Sequence, residues 1–234
     1  MGNIAIITAR GGSKRIPKKN IRQFCGKPML AYAIEAAIES TVFDEVMVST
    51  DSDEIAEIAR QYGASVPTMR SQENANDFAT TADVLVEVLE YYQEQGRTFD
   101  FACCLYPTAP FVTPDILRQG MRMLQTYEVS TVMPVVPFSF PPQRGLVCRE
   151  GILQAVSPEY MNCRSQDLET IYHDCGQFYC FDVRLFLKTK KLIDGQVMPI
   201  VLSELEVQDI DNESDWKIAE MKYQLMLEAN KREI

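Results

Sequence analysis

The sequence predicts an α/β fold in which a mostly parallel sheet carries helices on both faces. Short runs of β-branched and apolar residues alternate with longer stretches of helical periodicity, which is the order typical of βαβ units. The run at residues 4–8 is continuously apolar, as expected for a central parallel strand that is covered on both sides. The 234 residues are enough to bury a core around such a sheet.

Regular elements follow one another as far as residue 136. Strands are predicted at residues 4–8, 45–50, 101–105 and 130–136. Helices are predicted at residues 28–39, 52–62, about 80–95 and 114–127. Pro28 is expected in the first turn of the first helix, and Gly63 just after the second. Thr80 or Thr81 is expected to cap the third helix.

The regular alternation of predicted strands and helices ends after residue 136. The run Pro-Phe-Ser-Phe-Pro-Pro at residues 137–142 cannot form a regular element, because proline fixes φ and lacks an amide donor. Residues 143–180 resemble short strands and loops, so we interpret this stretch as an excursion from the sheet. A helix is then predicted at 183–192, extended segments at 197–201 and 206–210, and a last helix from Asn212. Residues 1–234 are therefore expected to form one Rossmann-like domain with an excursion at about 138–180.

The composition excludes several classes of protein. No run approaches the roughly 18 apolar residues of a membrane span. The start of the chain has neither the positive charge nor the apolar length of a signal peptide. The seven cysteines include no Cys-x-x-Cys pair, which argues against a zinc site or a disulfide framework. We therefore expect a cytoplasmic protein without a membrane partner.

Charge is distributed unevenly along the chain. The net charge of −10 argues against a nucleic-acid-binding protein, which needs a broad basic surface. Residues 1–34 contain no Asp or Glu, and their basic residues are Arg10, Lys14, Arg15, Lys18, Lys19, Arg22 and Lys27. A concentrated basic segment in an acidic protein predicts a local anionic ligand such as a polyphosphate; the alternative is a solvated basic loop.

A glycine-rich basic loop follows the first strand. Residues 6–20 read Ile-Ile-Thr-Ala-Arg-Gly-Gly-Ser-Lys-Arg-Ile-Pro-Lys-Lys-Asn. Ligands of open α/β sheets bind beyond the carboxyl ends of the strands, and glycine lets backbone amides approach phosphate oxygens. Arg10 and Lys14 can neutralise a triphosphate. The spacing is neither that of a P-loop nor Gly-x-Gly-x-x-Gly, and a flexible surface loop is the alternative.

Two carboxylates lie close together near the other end of the sequence. In Gln208-Asp209-Ile210-Asp211-Asn212, the side chains of Asp209 and Asp211 share one face of an extended segment, while Ile210 points into the core. Mg²⁺ prefers carboxylate, water and phosphate oxygens, so the pair predicts a magnesium site. The alternative is that Asp211 or Asn212 only caps the following helix.

Both motifs resemble those of the acylneuraminate cytidylyltransferase family, which includes CMP-sialic acid synthetases, and the resemblance extends over most of the chain. It implies that the basic loop holds the phosphates and ribose of CTP and that the Asp-x-Asp pair binds Mg²⁺. The loop residues concerned are Arg10, Gly11, Gly12, Ser13, Lys14, Arg15, Lys19 and Asn20. Lys14 is expected to stabilise charge on the α-phosphate. The residues expected to be catalytic are Lys14, Arg10, Asp209 and Asp211.

A segment in the first half of the chain is similar to the part of this family that recognises cytosine and ribose. The residues that match in type are Arg70, Ala79, Thr80, Thr81 and Asp83. The resemblance implies that they bind the nucleotide. Helix capping alone is the alternative for Thr80 and Thr81.

Two further segments resemble the sugar-binding part of the family. Residues 105–110, Leu-Tyr-Pro-Thr-Ala-Pro, are similar to the Leu-Gln-Pro-Thr-Ser-Pro of many sialic acid synthetases, but Tyr106 replaces a glutamine near the sugar and changes the hydrogen-bonding capacity. Residues 172–179 are similar to the family's Tyr-x-x-x-Gly-x-x-Tyr and contain the single histidine of the chain. The residues expected to contact the sugar are Tyr106, Tyr172, His173, Gln177 and Tyr179, with Arg144 and Arg164 as candidates for its carboxylate.

His173 stands where sialic acid synthetases often carry a basic residue. Together with Tyr106 and the run Pro-Pro-Gln-Arg-Gly at residues 141–145, it makes the chain most similar to the pseudaminic acid branch of the family. The resemblance implies transfer of CMP from CTP to the anomeric hydroxyl of a nonulosonic acid, release of pyrophosphate, Mg²⁺ as cofactor, and a homodimer formed through the excursion. Alternative acceptors are N-acetylneuraminate and 3-deoxy-octulosonate, and a non-enzymatic alternative is a nucleotide-sensing module with the same fold. The residues identify no general base, although Asp209 could serve as one.

Overall fold

The centre of the molecule is a mixed β-sheet, and this computed structural model describes residues 2–13 and 15–232, with side chains as far as residue 229. The strands are β1 (Asn3–Thr8), β2 (Gln23–Phe24), β3 (Lys27–Pro28), β4 (Glu45–Ser49), β5 (Phe101–Leu105), β6 (Thr131–Pro137), β7 (Leu146–Arg149), β8 (Ile152–Ala155), β9 (Tyr172–Asp174), β10 (Phe178–Asp182) and β11 (Val197–Val201). Within the described chain, the main sheet has seven of these strands, while β2–β3 and β7–β8 form two small separate ribbons.

The strand order of the main sheet is β11-β6-β10-β5-β1-β4, and β9 also pairs with β6. β1 runs parallel to both β4 and β5, and β6 runs parallel to β11. β10 is antiparallel to its two neighbours, β5 and β6. The carboxyl ends of β1, β4, β5 and β6 therefore lie at the same edge of the sheet, which is where such folds bind ligands.

Helices cover both faces of the sheet, as predicted. They are α1 (Met29–Ser40), α2 (Asp53–Gln61), α3 (Thr81–Glu94), α4 (Pro114–Tyr127), α5 (Val183–Thr189) and α6 (Glu213–Arg232). On β1, Ala5 and Ile7 pack in the core that α1, α2 and α4 cover. Ile4 and Ile6 point the other way, into the core under α3 and α5. The continuous apolar run that predicted a central strand is explained by this double coverage.

Polar side chains start several of the helices. Ser52 accepts from the amide of Ile55 at α2, and Thr113 accepts from the amide of Ile116 at α4. Thr80 forms the N-cap of α3, in a capping box with Asp83. The prediction that Thr80 or Thr81 caps this helix is thus confirmed for Thr80.

Three local predictions need adjustment. Pro28 precedes α1 as its N-cap, because its backbone pairs with Gln23 in the β2–β3 ribbon. α5 is shorter than predicted, since Lys190 takes a left-handed conformation with φ of 55° directly after Thr189. The extended segment predicted at 206–210 instead follows a 3₁₀ turn, Glu204–Glu206, and has no strand partner among the described residues.

A third apolar cluster joins the two ends of the sequence. Ile16 from the basic loop and Ile210 from between the paired aspartates are both buried there, next to Trp216 of α6. The ring of Phe24 contacts the ring of Trp216 edge-on, with centroids 5.5 Å apart. This cluster brings the basic loop against the aspartate segment. Among the described residues, we find no helix with the length and apolar character that crossing a membrane requires.

Candidate active site

A cavity of about 340 Å³ opens at the carboxyl edge of β1 and β5. Its lining includes Thr8, Arg10, Ser13, Arg15, Lys19, Asn20, Arg70, Asn74, Asn76, Asp77, Ala79, Thr80, Thr81, Tyr106, Pro107, Thr108 and Asp211. We call it the main cavity. It brings the basic loop, the segment before α3, the turn after β5 and one of the paired aspartates together in one place.

The backbone of the basic loop is fixed by polar side chains. Asn20 is buried and donates from Nδ2 to the carbonyl oxygen of Arg10 at 2.8 Å. The amide of Gly11 donates to Asp51 Oδ1 at 2.7 Å, and a Cβ placed on Gly11 would lie 3.1 Å from the Cβ of Ser52. Gly11 therefore allows the loop to pass close to the start of α2. Gly11 and Gly12 are not among the residues that line the main cavity, and Lys14 lies outside the described residues.

Arg10 is paired with an acidic residue at the wall of the main cavity. Its guanidinium donates to Asp77 Oδ1 at 2.9 Å, and both side chains are about half exposed, at 43% and 47%. Asp77 belongs to the segment before α3, so this ion pair connects the basic loop to that segment. Asp77 was not among the predicted nucleotide-binding residues; its only sequence signal is that it is acidic and lies just before a predicted nucleotide-binding stretch.

The basic loop and the aspartate segment meet. The guanidinium of Arg15 lies 2.8 Å from Asp211 Oδ1. Lys19 donates from Nζ to the carbonyl oxygen of Ile210 at 2.6 Å. Burial lowers the pKa of Lys19, and the negative charges of Asp211 and Asp209 oppose this shift. Two cations from the start of the chain therefore bind the aspartate segment near its end, one through a carboxylate and one through a carbonyl oxygen, at the wall of the main cavity.

Asp209 lines a second, neighbouring cavity of about 450 Å³. The other residues of this second cavity are Val136, Phe138, Ser139, His173, Asp174, Cys175, Glu204, Val207, Gln208 and Lys222. Burial raises the pKa of Asp209, and repulsion by Asp211 raises it further, while Lys19 opposes the shift. Asp209 and Asp211 thus interact electrostatically, although each faces a different cavity.

The two aspartates suit a divalent cation that takes only part of its coordination from protein. The described residues contain no group of three or more His, Cys, Asp or Glu side chains arranged to hold a metal. Mg²⁺ commonly binds to one or two carboxylates and completes its shell with water and substrate phosphates. Two carboxylates with mutually unfavourable charge, of which Asp211 lines the cavity with several cationic side chains, fit that pattern of coordination.

The other nucleotide-binding candidates divide into two groups. Ala79, Thr80 and Thr81 line the main cavity together with Arg70. Arg70 is largely buried and donates to both the hydroxyl and the carbonyl oxygen of Ser49, at 3.0 and 2.7 Å, so it also anchors the end of β4. Asp83 does not line this cavity, because its carboxylate accepts from the amide and hydroxyl of Thr80 at the start of α3.

The sugar-binding candidates are distributed more widely. Tyr106 lines the main cavity, His173 lines the second cavity, and Tyr172 is exposed on β9. Gln177 is buried and donates to the carbonyl oxygen of Glu206 at 2.8 Å. Tyr179 is buried and donates to the carboxylate of Asp174.

Arg144 and Arg164 line neither cavity. Arg144 donates to the hydroxyl of Ser165 at 3.1 Å. Arg164 pairs with Asp167 at 2.8 Å, three residues along the chain. Both arginines lie in the excursion and away from the cavities of this single chain, so the structure does not bring them to the other sugar candidates.

Comparison with known proteins places the chain in a family. A family model described as "Cytidylyltransferase" matches residues 4–140, which include the basic loop, the segment before α3 and the turn after β5. The chain belongs to this family. Members of the cytidylyltransferase family are nucleotidyltransferases, so the predicted enzyme class is confirmed.

Relatives match over nearly the whole chain. A pseudaminic acid cytidylyltransferase of Campylobacter jejuni is 37% identical over 230 residues, which are 98% of this chain and 99% of that protein. A CMP-N,N'-diacetyllegionaminic acid synthase of Legionella pneumophila is 36% identical and covers 97% of this chain and 98% of its own length. An N-acylneuraminate cytidylyltransferase of Escherichia coli is 29% identical over 92% of this chain and 51% of that protein.

A solved structure confirms the predicted fold. A CMP:2-keto-3-deoxy-manno-octonic acid synthetase complexed with CTP superposes with a TM-score of 0.69 and covers 97% of this chain and 100% of that chain. The sequence identity is 17%, so this likeness concerns the fold alone. The Rossmann-like α/β arrangement of that protein is therefore shared by the present chain.

Proposed function

We propose that the protein transfers CMP from CTP to the anomeric hydroxyl of a nonulosonic acid, with pseudaminic acid as the preferred acceptor, and releases pyrophosphate. The observation that carries the proposal is the meeting of Arg15 and Lys19 with Asp211 at the main cavity. Cationic side chains beside carboxylates form a site for a nucleoside triphosphate together with its cation. The family of the chain and the names of its relatives supply the nucleotide and the class of acceptor.

In this proposal, the main cavity holds CTP. Arg10, Arg15 and Lys19 offer cationic donors to the phosphates, with Ser13 as a hydroxyl donor and Asn20 as the residue that fixes the loop backbone. Lys14 is assigned to the α-phosphate on the basis of the sequence motif. The opposite wall, made by Ala79, Thr80 and Thr81 with Arg70 behind it, takes the ribose and cytosine.

Binding of CTP would exchange partners within the site. Arg15 is paired with Asp211 and Arg10 with Asp77, so each guanidinium already has an anionic partner. Both arginines have exposed side chains, and ion pairs of this kind contribute only about 0–1 kcal/mol. Phosphate oxygens can therefore replace the carboxylates at low cost.

Asp209 and Asp211 would hold Mg²⁺. When bound, the cation would neutralise phosphate charge and lower the pKa of the attacking hydroxyl. We assign the two carboxylates as ligands and leave the general base without an assigned residue. The protonation of Asp209, whose pKa is raised by burial and by Asp211, would then be suppressed by the cation's charge.

The chemical step is an in-line substitution at phosphorus. The anomeric oxygen at C2 of the acceptor forms a bond to the α-phosphorus while the bond from that phosphorus to the bridging oxygen of pyrophosphate breaks. The hydroxyl proton passes to solvent. The residues act by position and charge: the loop cations stabilise the negative charge that develops on the phosphoryl oxygens and on the leaving pyrophosphate.

The acceptor would lie between the main cavity and the second cavity. Tyr106 at the first and His173 at the second are the nearest candidates for its polar groups, and Tyr179 supports them from the core. The remaining sugar candidates would contribute to acceptor binding only from a second chain of the homodimer, or indirectly through the backbone that they hold in place. These candidates are Arg144, Arg164, Tyr172 and Gln177. The carboxylate of the acceptor therefore has no assigned cation in a single chain.

A homodimer formed through the excursion is part of the proposal. The β7–β8 ribbon exposes large apolar side chains, with Ile152 and Leu153 both 65% exposed. Phe140 nearby is 86% exposed. An isolated two-stranded ribbon is marginally stable in water, so this one gains most by packing against another surface. A second copy would supply that surface and would bring the excursion of one chain to the cavities of the other.

Measurement of pyrophosphate release tests the proposed function. The assay would combine CTP with pseudaminic acid, N-acetylneuraminic acid or 3-deoxy-octulosonate, with and without Mg²⁺, and UTP would replace CTP as the nucleotide control. We expect release that needs CTP, Mg²⁺ and an acceptor, and that is fastest with pseudaminic acid. Absence of release with every acceptor would contradict the enzymatic proposal, and a fastest rate with another acceptor would contradict the choice of sugar.

A further inference from the structure

Four side chains connect the second cavity to the main cavity through the core. Asp174 lines the second cavity and its carboxylate accepts from the hydroxyl of Tyr179. The ring of Tyr179 meets the ring of Tyr106 edge-on, with centroids 5.9 Å apart and planes at 87°. The hydroxyl of Tyr106 lies 3.2 Å from Thr81 Oγ1, and both residues line the main cavity. The four residues come from β9, β10, the turn after β5 and the first residue of α3.

The first link in this chain has a fixed direction. A carboxylate only accepts hydrogen bonds, so Tyr179 is the donor. The other oxygen of Asp174 accepts from the amide of Gly176 at 2.8 Å, which holds the carboxylate in the turn between β9 and β10. Burial raises the pKa of Tyr179 well above its ordinary range, and the bond to Asp174 raises it further, so the phenol keeps its proton. Asp174 is therefore committed to holding Tyr179 in one orientation.

Tyr179 in turn limits where Tyr106 can lie. Tyr179 is 5% exposed, so its ring has no free volume in which to turn once the hydroxyl is fixed. The backbone supports the same arrangement, since the amide of Tyr106 donates to the carbonyl oxygen of Gln177 at 2.9 Å, next to β10. An edge-to-face contact is directional, so a displaced Tyr179 would move the phenol of Tyr106 with it.

We propose that Asp174 is a positioning residue for the acceptor sugar: it fixes Tyr179 and, through it, the hydroxyl of Tyr106 at the wall of the main cavity. This inference rests on the proposed function, because it assumes that Tyr106 faces the acceptor. Asp174 does not touch the reacting atoms in this role. Asp174 contributes to acceptor specificity because its carboxylate fixes Tyr179, and Tyr179 in turn fixes where the phenol of Tyr106 lies.

Two isosteric variants test the proposal. Asp174→Asn keeps the size of the side chain but leaves one oxygen to serve the two donors, Tyr179 and Gly176, and Tyr179→Phe removes only the hydroxyl. We expect each to raise the KM for the acceptor about tenfold, as loss of a hydrogen bond to a charged group allows, with the KM for CTP changed less than about twofold. Asp194→Asn and Tyr127→Phe are matched controls at exposed sites outside both cavities.

A double variant separates positioning from a general loss of stability. If Asp174 acts through Tyr179, Asp174→Asn added to Tyr179→Phe raises the acceptor KM little further, and the two effects are strongly non-additive. Additive effects, or equal increases in the KM for CTP and for the acceptor, would overturn the proposal.

A crystal structure of Asp174→Asn decides the question without any assay. We expect the Tyr106 hydroxyl to leave Thr81 by more than about 1 Å, a displacement large enough to matter for a positioned group. An unmoved Tyr106 would overturn the positioning role whatever the activity of the enzyme. Absence of turnover in the wild-type protein, by contrast, would overturn the proposed function. The crystal structure would still show independently whether Asp174 positions Tyr106.

Discussion

The guanidinium of Arg15 lies 2.8 Å from the carboxylate of Asp211, although the two residues come from opposite ends of the sequence. Their contact depends on the third apolar cluster. Ile16, which follows Arg15, and Ile210, which precedes Asp211, are both buried in that cluster. The polar site is thus positioned by a small hydrophobic core. In the proposed function, Arg15 would serve the triphosphate and Asp211 its cation, so the two ligands would bind side by side at this place.

Arg15→Met tests whether this ion pair is functional or structural. The side chain of Arg15 is 70% exposed, so we expect the loss of the pair to change the free energy of unfolding by less than about 1 kcal/mol. A charge-assisted hydrogen bond to a phosphate is stronger, about 1.5–3 kcal/mol, so the KM for CTP should rise roughly 10- to 100-fold. Steady-state kinetics and urea unfolding measure the two quantities.

Lys18→Met is the matched control for that experiment. Lys18 belongs to the same loop and makes an exposed ion pair with Glu54 at 2.7 Å, but it does not line the main cavity. Its replacement should leave the KM for CTP unchanged. Equal effects of the two variants on this KM would mean that the general charge of the loop, and not the place of Arg15, attracts the nucleotide.

Asp83→Ala tests the capping role of a residue that was also predicted to bind the nucleotide. Hydrogen bonds from the hydroxyl and amide of Thr80 lower the pKa of Asp83 below its ordinary value of 3.8. A depressed pKa means that the stabilisation is present above the unfolded-state pKa and is lost as the pH falls through the lower, folded-state value. We expect the variant to lose about 0.5–1 kcal/mol of stability near pH 7, and this difference to shrink below pH 3.8.

Thermal unfolding between pH 7 and pH 3 would follow this effect, with Glu90→Ala on the exposed face of the same helix as the control. The KM for CTP should change less than about twofold in the Asp83 variant, because the carboxylate does not line the main cavity. A large rise in the KM for CTP without loss of stability would contradict the capping role and would indicate that Asp83 contacts the nucleotide.

The sequence was most informative where local and global preferences agree. The apolar run in β1, the cap at Thr80 and the basic loop each follow from residue type and spacing, and the structure has all three. The reversed strand β10 was not predicted, because nothing local in the 143–180 stretch reveals which strands it pairs with. Its antiparallel position between β5 and β6 depends on contacts distant in sequence.

In the candidate site, too, the features set by local sequence were predicted and those set by distant contacts were not. The Asp-x-Asp spacing predicted two carboxylates that work together, but not that Asp209 and Asp211 line different cavities. That outcome depends on the irregular backbone after Glu204–Glu206, which no periodicity reveals. Asp174, at the end of β9, and Asp77, in a turn, were missed for a related reason, since an isolated aspartate gives little signal until its partner is known.

Leu153→Glu tests the proposed homodimer. Leu153 is 65% exposed on β8 in the single chain, and a buried charge at an apolar interface is costly, so we expect a dimer for the wild type and a monomer for the variant at micromolar concentration. Size-exclusion chromatography with light scattering measures the mass. Ile193→Glu, at a site outside the excursion that is 58% exposed, is the control and should remain dimeric. A monomeric wild-type protein, or a Leu153→Glu variant that stays dimeric, would contradict the assignment.

Pyrophosphate release by Asp211→Asn, measured over a range of Mg²⁺ concentrations with CTP and pseudaminic acid, is the sharpest test of whether Asp211 binds the cation of the nucleotide. The amide keeps the size of the side chain but removes the charge that both Arg15 and the cation would contact. We expect a folded protein whose rate falls by at least about a thousandfold at every Mg²⁺ concentration, since a metal ligand is lost where the transition-state charge develops. A variant with a nearly normal, Mg²⁺-dependent rate would contradict this role of Asp211.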